Sequence, residues 1–99
     1  MERPVLLCGL GKVGWRVLDF LRSAGTPVVA IDVHADPSDP RLAGCTFVKG
    51  DCRNPETLKK ADVATVGGVV IVTSDDLVNV SAALTIRRLN ADARIVIRM

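Results

Sequence analysis

The chain has 99 residues, of which 48% are hydrophobic and only 3% aromatic, and this predicts a single domain with an aliphatic core. The 13 basic and 11 acidic residues leave a net charge of +2 and form no basic run, which argues against nucleic acid as a partner. No apolar run reaches the roughly 18 residues of a membrane span, and an odd number of cysteines favours a reduced, cytosolic setting over a disulfide scaffold.

The first half of the chain predicts three strands and one helix. The apolar run at residues 4–10 predicts a strand buried on both faces, and helical periodicity replaces it over residues 12–24. A second buried strand at residues 27–32 is followed by a polar loop with prolines and then by a third strand at residues 45–51. The apolar residues that share one face of the helix, and are therefore expected in the core, are Val13, Val17, Phe20, Leu21 and Ala24.

The second half continues the alternation of helices and strands. Asn54 and Pro55 have the residue types of an N-cap and a first-turn proline, and they predict the start of a short helix. Ser74 is expected to cap a longer helix that begins with two acidic residues. The predicted helix, strand, helix and strand of this half are residues 55–61, 67–73, 75–90 and 93–99.

This alternation predicts the fold class. Buried strands that alternate with helices form a parallel sheet with right-handed crossovers. We therefore expect one α/β, Rossmann-like domain over residues 1–99, with strand order 3-2-1-4-5 and helices on both faces. Because the chain ends on a fifth strand, we expect the sixth strand of the fold to be absent and the chain to be a fragment of a longer protein.

A glycine motif, G-x-G-x-x-G, lies between the first strand and the first helix, at Gly9, Gly11 and Gly14. In this context the first glycine allows a tight turn, the second lets a pyrophosphate approach the backbone, and the third lets the helix pack on the strand. Free N–H groups at the helix start attract phosphate. Lys12 and Val13 follow in the first turn, where the lysine ammonium can reach a phosphate oxygen. The alternative is a tight turn that holds no ligand.

An acidic residue about twenty positions after the motif is the second feature of a dinucleotide site. Asp32 ends the second strand, and Val33 follows it. Such a carboxylate accepts hydrogen bonds from a ribose diol and repels a 2′-phosphate. The predicted ligand is therefore NAD(H), or the adenine nucleotides ATP, ADP and AMP, rather than NADP(H). The alternative is a residue that only starts the loop.

Polar residues that end the third and fourth strands complete the predicted site. Asp51 borders the adenine pocket, and either its carboxylate or the Cys52 amide meets the base, unless Asp51 is only a turn residue. Thr73 and Ser74 face the phosphates or the distal nucleoside, although Ser74 can equally serve only as an N-cap. Asp75 and the acid after it are expected to stabilise the helix dipole rather than to bind a metal, so no metal site is predicted.

A catalytic set is missing from the sequence. The chain has no tyrosine and one histidine, His34, which lies on the adenosine side, two residues after Asp32. The cysteines lack the C-x-x-C spacing of a zinc site. We therefore expect a binding domain and not an enzyme. The alternative is the cofactor-binding half of an NAD-dependent oxidoreductase.

Most of the chain resembles the N-terminal nucleotide-binding lobe of RCK domains, also called KTN or TrkA-N domains, which regulate potassium channels and transporters. The most specific blocks are G-D-x-x-x-P-x-x-L-x-x-A at residues 50–61 and T-x-D-D-x-x-N at residues 73–79. The resemblance implies a cytosolic sensor whose dimers or rings change shape when nucleotide binds. It assigns phosphate, ribose, adenine and crevice roles to Gly9, Gly11, Lys12, Gly14, Asp32, Asp51, Thr73 and Asp75.

Two apolar stripes on the long helix predict an interface, since a helix beside a sheet needs only one. The second stripe would be exposed and would mark a contact with another subunit or with absent chain, so we expect a homodimer or higher oligomer. Trp15, which falls outside the predicted core face of the first helix, would add exposed apolar surface. The two stripes are Leu77, Val80 and Leu84, and Val78, Ala82, Ile86 and Leu89.

Overall fold

A computed structural model describes residues 2–99 as one parallel sheet with helices on both faces. The strands are β1 (Val5–Cys8), β2 (Val28–Asp32), β3 (Thr46–Lys49), β4 (Gly68–Ile71) and β5 (Arg94–Ile97). The helices are α1 (Lys12–Ser23), α2 (Pro55–Lys60) and α3 (Asp76–Leu89), with short 3-10 turns at Pro40–Leu42 and Val63–Thr65. The strand order is β3-β2-β1-β4-β5, which confirms the predicted α/β, Rossmann-like topology.

The central strand β1 sets the position of the sheet's carboxyl edge. Cys8, the last residue of β1, lies beside Ile31 of β2 and Ile71 of β4. Because the strands are parallel, the loops that follow β1, β2, β3 and β4 all begin at this edge. The glycine motif follows β1 directly and therefore lies at its centre.

Alternate residues of the strands build two aliphatic cores, as the period of two along a strand requires. On one face Leu6 and Ile71 pack with α2 and α3. On the other face Leu7 and Ala30 pack beneath α1. Both cores are made of small and branched side chains, as the low aromatic content predicts.

The core face predicted for α1 was wrong for three of its residues. Val13 and Ala24 are exposed, and Phe20 is 72% exposed. The buried residues are Gly14 and Leu18, which are spaced one turn apart and are flanked by half-buried apolar side chains. The inward face is therefore centred on Gly14 and Leu18, and Gly14 packs against the backbone of Gly9.

Trp15 is half-buried, contrary to the prediction that it lies outside the core. The loop after β2 folds back over α1 and inserts Leu42 into the same core. From this loop the Arg41 guanidinium lies 3.8 Å from the centre of the indole ring, a cation–π contact. The loop after β2, which the sequence analysis describes as polar, therefore covers Trp15.

Helix α3 has one inward and one outward apolar stripe. Ala82 and Ile86 are fully buried against β4 and β5. Leu77 is 81% exposed and Leu84 is 59% exposed. Two stripes are present, as predicted, and the stripe with Leu77, Val80 and Leu84 is the outer one.

Candidate functional site

A cavity of about 610 Å³ opens at the carboxyl edge of the sheet, within the 300–1,000 Å³ usual for ligand pockets. Its walls are the glycine loop and the loops that follow β2, β3 and β4. The structure brings all but one of the predicted site residues together here: Gly9, Gly11, Lys12, Val13, Asp32, Val33, Asp51, Cys52, Thr73, Ser74 and Asp75. Gly14 is not among the residues that line the cavity, and its role in phosphate binding stays a prediction.

Gly9 and Gly14 are required by the fold of the loop itself. Gly9 has φ of +104°, in the left-handed region that favours glycine. A Cβ on Gly14 would lie only 1.9 Å from the carbonyl oxygen of Gly9. The absence of both side chains lets α1 start directly against the end of β1.

Gly11 differs from the other two glycines of the motif. A Cβ built on it would meet no atom of residues 2–99 within 4 Å, and its φ of −80° is open to any residue. Gly11 is the N-cap of α1 and lines the cavity, and the space that a Cβ would occupy is open. Nothing in the packing of the described residues explains the glycine, whereas a phosphate close to the backbone would.

Asp32 joins two walls of the cavity. One carboxylate oxygen accepts a hydrogen bond from the backbone N–H of Leu10, at 2.8 Å. The other accepts from the N–H groups of His34 and Ala35, at 2.9 and 2.8 Å. A carboxylate has about four acceptor positions, so the side chain can hold the glycine loop in place and still accept from a ribose hydroxyl.

Asp51 is paired with an arginine that the sequence reasoning did not identify. Arg53 donates its backbone N–H and its Nε to one oxygen of Asp51, at 2.9 and 3.0 Å. Its Nη2 lies 2.6 Å from the other oxygen. The side-chain hydrogen bond from Arg53 lowers the pKa of Asp51. The Arg53 Nε also lies 3.2 Å from Oδ2 of Asp51, so four contacts with Arg53 meet the about four acceptor positions of this carboxylate. The carboxylate expected near the base is therefore already engaged, whereas Asp32 accepts only three hydrogen bonds.

The end of β4 is held by a buried amide. Asn79 is 0% exposed, and its Nδ2 donates to the backbone carbonyls of Thr73 and Arg98, at 3.1 and 2.9 Å. The Thr73 hydroxyl donates to the Asn79 Oδ1 atom. This network fixes Thr73 at the cavity wall and joins the ends of β4 and β5. The T-x-D-D-x-x-N block thus has a structural basis.

The N-cap of α3 is Asp75, and the prediction that Ser74 caps this helix was wrong. The Asp75 carboxylate accepts from the N–H groups of Leu77 and Val78, at 2.9 and 3.2 Å. Capping by a residue that accepts from its second and third successors is the usual geometry. Ser74 lies one residue before the cap and lines the cavity with it.

Cys52 lies beneath the cavity, buried against β1. Its thiol pairs with that of Cys8, and this hydrogen bond, together with burial, raises the pKa of Cys8 well above its usual value. The same contact lowers the pKa of Cys52. The Cys52 backbone remains at the cavity wall, where the prediction placed it.

Three basic residues at the cavity wall were missed or discounted. His34, which was expected only to lie on the adenosine side, lines the cavity as an exposed loop residue, and Arg53 and Arg98 had no assigned role. Arg53 carried a usable signal, since it follows Asp51 by two residues in a loop at the sheet's carboxyl edge. Arg98 follows the edge strand β5. The glycine motif and the acidic residue about twenty positions after it do not extend to this strand.

The TrkA-N domain family matches residues 5–99 of the chain. Potassium channel protein 1 of Methanocaldococcus jannaschii is 30% identical over 102 residues, which cover 97% of this chain and 30% of that protein. The chain therefore spans less than a third of the length of this relative.

Solved structures share the fold. The TrkA-N domain of the inner membrane protein ybaL from Escherichia coli has a TM-score of 0.83 at 22% identity, over 96% of this chain and 71% of that chain. GsuK bound to ADP has a TM-score of 0.80 at 27% identity, over 94% of this chain and 24% of that chain.

Among residues 2–99, no helix combines the length and apolarity needed to cross a membrane.

Proposed function

Because the chain belongs to the TrkA-N domain family, we propose that it is a regulatory domain that binds NAD(H) or an adenine nucleotide and thereby controls potassium transport. The observation that carries the proposal is Gly11, whose missing side chain leaves open space where a phosphate would lie. The relative named as a potassium channel protein and the GsuK structure with ADP support the transport role and the ligand class.

The residues of the cavity fit such a ligand in three parts. The N–H groups at the start of α1 and the Lys12 ammonium would hold the phosphates. Asp32 would accept from the ribose hydroxyls, and the loop after β3, with Asp51 and the Cys52 amide, would meet the base. This arrangement follows the carboxyl edge of the sheet, where Rossmann-type folds bind nucleotides.

Control of transport requires that ligand binding be coupled to a partner. We place the domain at the cytosolic face of the membrane, joined to a potassium channel or transporter subunit. It acts as a homodimer or higher oligomer through the outer face of α3, where Leu77 and Leu84 are exposed. Nucleotide would shift the geometry of that assembly without being consumed.

A thermal-shift panel tests the nucleotide assignment. We expect ADP, ATP, AMP and NAD(H) to include a ligand that raises Tm, since ligand that binds only the folded state stabilises it by ~2.7 kcal/mol at a hundredfold excess over Kd. For a domain of this size each kcal/mol corresponds to about 4–8 °C. NADP(H) should act more weakly because Asp32 repels its 2′-phosphate.

Gly11→Val is the matched control for that panel. The variant should fold, since its side chain meets only open space, and should lose the ligand-induced shift. If the wild type shows no shift with any nucleotide when purified free of ligand, nucleotide binding is wrong. Steady hydrolysis of ATP, or hydride transfer from NADH to added carbonyl compounds, would favour the oxidoreductase or another enzyme instead.

A further inference from the structure

Two aspartate–arginine pairs in this chain have nearly the same geometry. In each, the arginine follows the aspartate by two residues and donates its backbone N–H to Oδ1, at 2.9 Å in both. The Nε to Oδ1 distances are 3.1 Å for Arg41 with Asp39 and 3.0 Å for Arg53 with Asp51. The Nη2 to Oδ2 distances are 2.7 and 2.6 Å. The pairs are therefore a natural comparison.

The two pairs differ in where they lie. Asp51 and Arg53 both line the cavity, on the wall formed by the loop after β3. Arg41 stacks over Trp15 on the opposite face of the sheet, and neither it nor Asp39 belongs to the cavity lining. Only the Asp51–Arg53 pair can be reached by a ligand in the cavity.

We infer that Arg53 lowers the selectivity of the site for adenine over hypoxanthine, because it occupies the Asp51 carboxylate that would otherwise accept a hydrogen bond from the amino group of adenine. The inference rests on the proposed nucleotide function. In the domain without nucleotide, Arg53 therefore occupies the carboxylate for which the adenine amino group must compete. An exposed ion pair is weak, and the side chain of Arg53 is 49% exposed, so the base can displace it.

The pairing also changes which bases the wall accepts. A free carboxylate favours the 6-amino group of adenine, which donates, and disfavours the 6-oxo group of hypoxanthine, which accepts. A guanidinium has five N–H donors, and those not directed at Asp51 can donate to a 6-oxo group. Arg53 therefore reduces the discrimination between adenine and hypoxanthine nucleotides.

The test compares ADP with inosine diphosphate, which carries the same phosphates and ribose and differs only in the base. Calorimetric Kd values are measured for the wild type, Arg53→Ala and the matched control Arg41→Ala. Removing Arg53 should raise the preference for ADP by about two- to fivefold, the range that loss of a surface ion pair allows. Arg41→Ala removes the same charge from the same kind of pair and should leave the preference unchanged.

Asp51→Asn provides a second arm. With the carboxylate gone, Arg53→Ala should change the ratio of the two Kd values less than it does in the wild type, because only the donation from Arg53 to the 6-oxo group is then lost; an equal change in both backgrounds would show that Arg53 does not act through Asp51. If the wild type binds neither nucleotide, both the proposed function and this inference fail. If the wild type binds ADP and the ratio is the same in Arg53→Ala, or falls, only the role of Arg53 is wrong. Thermal denaturation of each variant confirms that it is folded.

Discussion

Gly11 and Gly14 lack side chains for different physical reasons, so their substitution should have separable effects. We expect Gly14→Ala to destabilise the fold by about 1–3 kcal/mol or more, as overpacking does, because its Cβ would lie 1.9 Å from a backbone oxygen. Gly11→Val replaces an N-cap glycine and should cost no more than about 1 kcal/mol. Urea denaturation measures both. Equal losses of stability would contradict the distinction.

Residues at the ends of strands were predictable because topology places them. Asp32 ends β2, Asp51 and Thr73 come two residues after β3 and β4, and parallel strands present their carboxyl ends at one edge. Arg53 and Arg98 reach the cavity with long side chains from positions that no spacing rule covers. Gly14 belongs to the glycine motif but does not line the cavity, so the motif alone does not identify the residues at the cavity wall.

At the scale of an element, helix α3 is anchored by a buried asparagine near each end. Asn79 bonds the carbonyls of Thr73 and Arg98, whereas the Asn90 Nδ2 bonds the carbonyls of Val63 and Val66, both at 2.9 Å. The first amide supports the cavity wall, and the second lies outside the cavity lining. The two are matched in burial and in chemistry.

Asn79→Ala and Asn90→Ala should therefore lower the free energy of unfolding by similar amounts, but only Asn79→Ala should change the affinity for ADP. Each removes two hydrogen bonds that a buried side-chain amide donates to backbone carbonyls, at a cost of about 1–3 kcal/mol. Asn79→Ala should also weaken ADP binding, because Thr73 is no longer fixed at the cavity wall, while Asn90→Ala should not. Urea denaturation and calorimetry measure the two effects. Loss of ADP affinity in both variants to the same extent would mean that it follows from stability alone.

The strands were predictable from apolar runs and the inward face of α1 was not. Burial on both faces makes every residue of a central strand apolar, so the runs that contain β1, β2 and β4 could be found without knowing the sheet. For α1, hydrophobicity favoured Phe20, but the buried face includes Gly14, which a count of apolar side chains ignores. The burial of Trp15 was not predictable, because it depends on the loop after β2, and no local sequence pattern shows that this loop packs on α1.

Exposed apolar side chains lie on several parts of the molecule, and three of them form one stripe on α3. On α3, Leu77, Val80 and Leu84 are exposed in one stripe. On α1, Phe20 is exposed, with the less exposed Val13 about two turns away. The other exposed large apolar side chains, outside these helices, are Val33, Val96 and Met99. Contiguous exposed apolar surface marks an interface, whereas single exposed residues are normal. The stripe on α3 is therefore the better candidate for contact between subunits.

We expect the wild type to form a dimer or higher oligomer and Leu84→Asp to dissociate it without unfolding the domain, because Leu84 is 59% exposed. Light scattering with size exclusion measures the mass, and circular dichroism measures the fold. Phe20→Asp places the same charge on the opposite side and should leave the assembly intact. Ile86→Asp should instead unfold the domain, since Ile86 is 0% exposed and an unpaired buried charge is strongly unfavourable.

A wild type that is monomeric at every accessible concentration, or a Leu84→Asp variant that stays assembled, would contradict this interface. Dissociation by Phe20→Asp alone would place the contact on the α1 side.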